Sequence, residues 1–333
     1  MMRLFEKISD LKRDTGFLRF QTTVTQAMYE ALGQAYAQGE GEVGMVKKLV
    51  AAIDGKSYRG ISLASQMIHG SRSYVEFNCR DKPVTKELGD MLVISLVSAG
   101  GERLFQRISI IQNKKDSSGK WGIDLEQLYL LKNFPLFTGN KGMFRNCRDI
   151  AFRNESGCLG SYGLFQTPGE MIVASAPLVT ELLKGKKTLS PSDIQVLQVM
   201  PSSQSGGLLN NSVPWWPRPF LRHPEESFHF FEKIIRRYGV IPFGGFNGFL
   251  GNVHFCRDIC DFTRAWTHLS LGEPTYAWDQ VVNPDVDAFS VFILRQYGFD
   301  HLPKLPSDNV FGDREFEGTL AVFLMHLDVE RDE

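Results

Sequence analysis

The sequence predicts an α/β protein, with a mixed central sheet flanked by helices and then a helix-rich C-terminal part. Three observations point there. Residues 88–97 and 104–114 are near-continuous apolar runs on either side of Ala99-Gly100-Gly101-Glu102, which reads as a hairpin buried on both faces. Helical periodicity precedes this hairpin and returns after it, at residues 124–133. Two further strand-like segments and a short helix then follow through residues 162–183.

Taken from the N-terminus, residues 22–37 carry Met28, Leu32 and Tyr36 at four-residue spacing, so a helix is expected. Residues 46–53 read as a second, short helix closed by Asp54-Gly55. Gly55-Lys56-Ser57 is no phosphate-binding loop, because position 50 is valine and a helix precedes it. Residues 73–78 are expected to form the first strand of the sheet, just before the hairpin. Asp124 suits the N-cap of the helix at 124–133. Residues 162–166 and 170–175 read as strands around Thr167-Pro168-Gly169, with a short helix at 178–183. The domain division that follows is 1–190 as the core, 191–224 as a linker or long loop, and 225–333 as a C-terminal accessory region. Within that region helices are expected at 225–238, 254–266 and 286–297, and a closing strand at 319–329. Trp215-Trp216 in the linker suits core packing better than base stacking. His254, Cys256, Cys260 and His268 lack the paired spacing of structural zinc sites.

Composition narrows the function classes. At 333 residues, 43% hydrophobic and 23% charged, the chain suits one large or two moderate globular domains. A net charge of −1 argues against a general nucleic-acid coating protein and leaves room for a local basic groove. The five cysteines are odd in number and scattered, so a reducing compartment is expected. No apolar run approaches membrane-spanning length and the N-terminus lacks an apolar core, so the expectation is a cytoplasmic protein with no membrane association.

The hairpin carries polar residues where a buried strand should have none. Asp90 opens the first strand, and Gln112 and Lys114 end the second. Side chains alternate along a strand, so Gln112 and Lys114 share a face, which Ile108 and Ile110 continue inward. Antiparallel pairing sets the start of one strand beside the end of the other. Asp90, Gln112 and Lys114 are therefore expected to converge. A carboxylate and an amide carbonyl are hard oxygen ligands suited to Mg²⁺, and a nearby lysine orients a water or stabilises developing charge. The plain alternative makes Asp90 a turn residue after Gly89 and Lys114 a guard at a strand end.

This constellation resembles the PD-(D/E)XK nuclease superfamily, which has a restriction-endonuclease-like core, over roughly residues 20–180. Gly89-Asp90 stands at the first acidic position and Gln112-Asn113-Lys114 at the (D/E)-x-K position. The resemblance implies a Mg²⁺- or Mn²⁺-dependent endonuclease with DNA as its partner. Asp90, the Gln112 side-chain carbonyl and the Asn113 backbone carbonyl would be metal ligands, and Lys114 would orient the attacking water. Glu30, on the preceding helix, would complete the catalytic set, with Glu87 and Glu76 as the other acidic candidates. Gln127, on the following helix, would touch substrate or place the lysine. Lys141, Arg145 and Arg148 lie in a basic loop that would suit a phosphodiester backbone. Gln112 departs from the usual acid, and against a divalent ion at ~4 Å one charge is worth ~8 kcal/mol before desolvation. The resemblance also implies a bacterial restriction or phage-defence effector, with a partner subunit or self-association. Double-stranded DNA, single-stranded DNA and RNA are all compatible substrates. The rival reading, which Gln112 favours, is a catalytically inactive nuclease-fold subunit that binds or scaffolds in a nucleic-acid-processing complex.

Overall fold

The structure is a computed structural model that describes residues 2–68, 74–140, 147, 149–198, 252–277, 280–296 and 320–330. Three helices lead: α1 (Met2–Arg13), α2 (Thr15–Ala37) and α3 (Glu42–Ile53). Asp14 starts α2 by accepting from the Gly16 N–H at 2.8 Å. Phe17, Phe20, Val24, Met28, Leu32 and Ala35 form its buried stripe. After β1 (Ser57–Tyr58), β2 (Ile61–Ile68) enters the main sheet. Its alternation of buried Ile61 and Leu63 with exposed Ser62 is the signature of a half-buried strand.

Of the strand expected at 73–78 to open the main sheet, the described residues 74–78 lie elsewhere. β3 (Tyr74–Cys79) pairs with β4 (Lys82–Glu87) and β8 (Phe137–Gly139) in a separate three-stranded sheet. The β4 strand, KPVTKE, has exposed and half-buried positions only, which suits a peripheral ribbon and not an internal strand.

The hairpin forms as expected, from β5 (Met91–Ala99) and β6 (Glu102–Lys115). Ala99 pairs with Glu102, leaving Gly100 and Gly101 as the turn, at φ 57° and 78°. Two successive positive φ values are what a two-residue hairpin loop demands, and glycine supplies them without steric cost. From β6 the chain crosses through β7 (Trp121–Gly122) and α4 (Leu125–Asn133) to β9 (Gly160–Gln166), which lies parallel to β6. β10 (Glu170–Ser175) returns antiparallel, followed by α5 (Ala176–Leu183), β11 (Thr188–Leu189) and α6 (Pro191–Gln198).

The described C-terminal residues do not form a separate unit. β12 (Phe255–Cys256) extends the main sheet beside β10, and β13 (Glu273–Ala277), paired with β14 (Gln280–Val281), joins β6. β15 (Leu320–Asp328) lies in the middle of the sheet, antiparallel to β2 and parallel to β5. Residues 254–256, expected to be helical, instead include a strand, and the helix α7 runs over Ile259–Thr267. The helix α8 (Pro284–Gln296) is tied to β6 by a buried pair, with Arg103 donating to both Asp287 oxygens at 2.7 and 2.9 Å. The linker expected at 191–224 begins as α6; its residues 199–224, with Trp215-Trp216, and the helix expected at 225–238 lie outside the described residues.

The result is a mixed sheet with a core on each face. Leu92, Ile94 and Leu96 of β5 pack with α4, α5 and α8 on one side. Met91, Val93 and Val97 pack with α2, α3 and α7 on the other. This two-sided burial explains why β5 and β15 are apolar at nearly every position. No helix among the described residues is long and apolar enough to cross a membrane.

Candidate active site

The start of β5 and the end of β6 meet as the alternation requires. Gly89 lets the chain lie close to β6, since a Cβ there would stand 2.7 Å from the Ile110 Cγ2 and 3.3 Å from the Ile111 carbonyl. The Asp90 N–H bonds that Ile111 carbonyl at 3.0 Å, and the Asp90 carbonyl accepts from the Ala321 N–H of β15 at 3.0 Å. The Asp90 backbone is thus fixed from both flanking strands. Its Oδ2 accepts from the Asn113 N–H at 2.7 Å and from the Gln112 Nε2.

Asp90, Gln112 and Lys114 line one cleft of about 180 Å³, with Glu87 and Glu42 as further acids and Val43, Val46 and Met67 as an apolar wall. Gln112 is 6% exposed, and its Oε1 has no hydrogen-bond partner among the described residues. The Lys114 Nζ lies 3.7 Å from the Glu42 Oε2. The Glu42 Oε1 accepts from the Lys115 N–H at 2.9 Å, and the Lys115 Nζ donates to the Glu40 carbonyl at 2.6 Å. The first turn of α3 is therefore clipped to the end of β6.

Glu30 is not brought to this cleft. It sits exposed on α2, accepting from the Gln26 Nε2 at 2.7 Å. Two residues beyond Met28 on a helix is about 200° around, so Glu30 faces away from the buried stripe. The acid that an N-terminal helix does contribute is Glu42, and the sequence signal for it was its place just after Gly39, Glu40 and Gly41, at a helix start. Glu76 lies exposed in the peripheral sheet, near the Asn140 Nδ2 at 3.3 Å. Glu87 does reach the cleft. The Asn113 side chain is buried on the opposite face against Gly163, so only its backbone serves this end of the sheet.

Gln127 is also placed differently from a substrate contact. It is buried, and its Nε2 donates to the Glu87 carbonyl at 2.5 Å. Beside it, Lys86 bridges Asp124 at 2.6 Å and Glu126 at 2.8 Å. Burial raises the Asp124 carboxyl, but the bond from Lys86 and the N–H groups of Gln127 and Glu126 outweigh it and leave the group below its ordinary value. The start of α4 thus clamps the segment that leads into Asp90. Lys141, Arg145 and Arg148 lie outside the described residues.

For a divalent ion the donor set is sparse. Asp90 and the orphaned Gln112 Oε1 are oxygen donors of the right kind. Among the described residues no group of three or more Asp, Glu, His or Cys side chains converges to hold a metal. An ion such as Mg²⁺ keeps several waters and takes one or two carboxylates, so at this cleft water would have to supply most of its shell. Comparison with protein families, with curated proteins and with solved structures gives no match to this chain.

Proposed function

We propose that this protein is a metal-dependent nuclease with a restriction-endonuclease-like core, hydrolysing phosphodiester bonds of DNA. The observation that carries the reading is the convergence of Asp90, Gln112 and Lys114 on one cleft at the end of adjacent antiparallel strands. The parallel crossover from β6 through α4 to β9, and helices leading into the sheet, support it further.

Each residue has a task in that reading. The Gln112 amide and the Asn113 N–H hold the Asp90 carboxylate in one orientation. Asp90 and Gln112, the latter through its carbonyl oxygen, would hold a Mg²⁺ or Mn²⁺ ion. The chemistry that such an ion supplies when bound is charge neutralisation on the phosphate and a more acidic water. Lys114 donates to the attacking water or to a non-bridging phosphate oxygen, and Glu42 limits where its ammonium group swings. Val43, Val46 and Met67 give sugar and base faces an apolar wall. The net charge of −1 favours a partner subunit as the source of added DNA affinity, in keeping with a restriction or phage-defence role.

A second reading has its own observation. Gln112 presents its amide nitrogen to Asp90, and among the described residues no three acids stand close enough together to hold a metal, as in a nuclease fold that binds without cutting. The deciding experiment is cleavage of plasmid and linear DNA by purified protein with Mg²⁺ or Mn²⁺, beside Asp90→Ala and Lys114→Ala. Each substitution is expected to cost roughly a hundredfold or more in rate. Metal-dependent cutting that survives in both variants refutes this site. Metal and DNA binding without cutting selects the second reading.

A further inference from the structure

Behind the cleft, three neighbouring strands carry a row of polar side chains. Asp90 stands beside β6 through its bond to the Ile111 carbonyl. Gln112 on β6 pairs with Tyr162 on β9 in the parallel register. The row lies on the face that α4 covers, because Leu92, Ile110 and Tyr162 all belong to that core.

Tyr162 is fully buried, and its hydroxyl has no hydrogen-bond partner among the described residues. The Gln112 Oε1 is in the same condition. Burial, and then the nearby Asp124 and Asp90 carboxylates, raise the Tyr162 phenol and keep it neutral, so it retains a proton to donate. Unpaired buried polar atoms are few in folded proteins, and each costs desolvation free energy. Here a donor and an acceptor occupy paired positions on adjacent strands, on one face. They do not bond directly, and a single buried water satisfies such a pair.

We propose that Tyr162 is a positioning residue for Gln112, holding the carbonyl end of its amide through one buried water and so keeping the amide nitrogen on Asp90. The ring packs as core, while the hydroxyl decides which end of the amide faces the carboxylate. The proposal takes its setting from the cleft of the nuclease reading, but it concerns the metal-free protein, in which the Gln112 carbonyl is not a ligand, and needs no cleavage to be tested.

Two measurements on the full chain test it. A high-resolution crystal structure of the wild-type protein is expected to contain a water within hydrogen-bond distance of both the Tyr162 hydroxyl and the Gln112 Oε1. In Tyr162→Phe, hydrogen exchange of the Gln112 side-chain amide, followed by NMR, is expected to speed up about five- to tenfold, the worth of one hydrogen bond. Backbone amides of β9 should keep their rates, which separates lost positioning from general loosening. A water-free contact in the crystal overturns the proposal, as does an unchanged Gln112 exchange rate in the variant. Failure of DNA cleavage alone would remove the nuclease reading and leave this link standing.

Discussion

Residues 1–190 expressed alone will not fold, because the strand at the centre of their sheet comes from the other end of the chain. β15 pairs over eight positions with β2 and eight with β5. Its Leu320, Val322, Phe323, Leu324, Met325 and Leu327 are each no more than 5% exposed. At about 1.5–3 kcal/mol for each buried side chain, these six contribute roughly 9–18 kcal/mol before any backbone bond is counted. A whole domain is stable by only about 5–15 kcal/mol. Removal of β15 would also bare the facing edges of β2 and β5, both prone to pair with other chains. The assay is near-UV circular dichroism and an amide NMR spectrum of the 1–190 fragment beside the full chain, with size-exclusion chromatography. The expected result is an aggregated or collapsed fragment without dispersed amide signals. A monomeric fragment that unfolds cooperatively would refute the reasoning and restore an independent N-terminal core.

Two further outcomes follow from the buried polar groups. Burial lowers the buried His254 from 6.5 to about 4. Between those values the unfolded chain takes up a proton that the folded chain refuses, so stability falls as the pH drops, by up to about 3 kcal/mol. Urea unfolding of wild type and His254→Gln at either end of that window checks this, and the variant should lose most of the slope. Gln127→Leu removes the Gln127 Nε2 bond to the Glu87 carbonyl and should cost about 0.5–1.5 kcal/mol by the same denaturation assay. Under the nuclease reading that variant also lowers the cleavage rate without changing DNA affinity, because Gln127 acts through the Asp90 segment. A loss of affinity alone would make it a substrate contact.

What the sequence settled by itself is local. Paired glycines between two apolar runs specify the hairpin, and the two-residue period of its strands specifies that Gln112 and Lys114 share a face while Asn113 turns away. Asp124 fixes the start of α4 by bonding its own helix, at 2.9 Å to the Glu126 N–H and 3.1 Å to the Gln127 N–H. These features depend on neighbours a few residues apart, and side-chain chemistry encodes them directly. The choice of Glu42 over Glu30, the use of Gln127 as a clamp, and the row that ends in Tyr162 depend on how α3, α4 and β9 dock against the hairpin. The placement of β15 depends on pairing between residues more than two hundred positions apart. Its apolar run reads as a closing strand, but an apolar strand fits between any two partners of matching length. Only the packing of the whole sheet, with a core on each side, decided that β15 lies between β2 and β5 and pins Asp90 from the side that the hairpin leaves open.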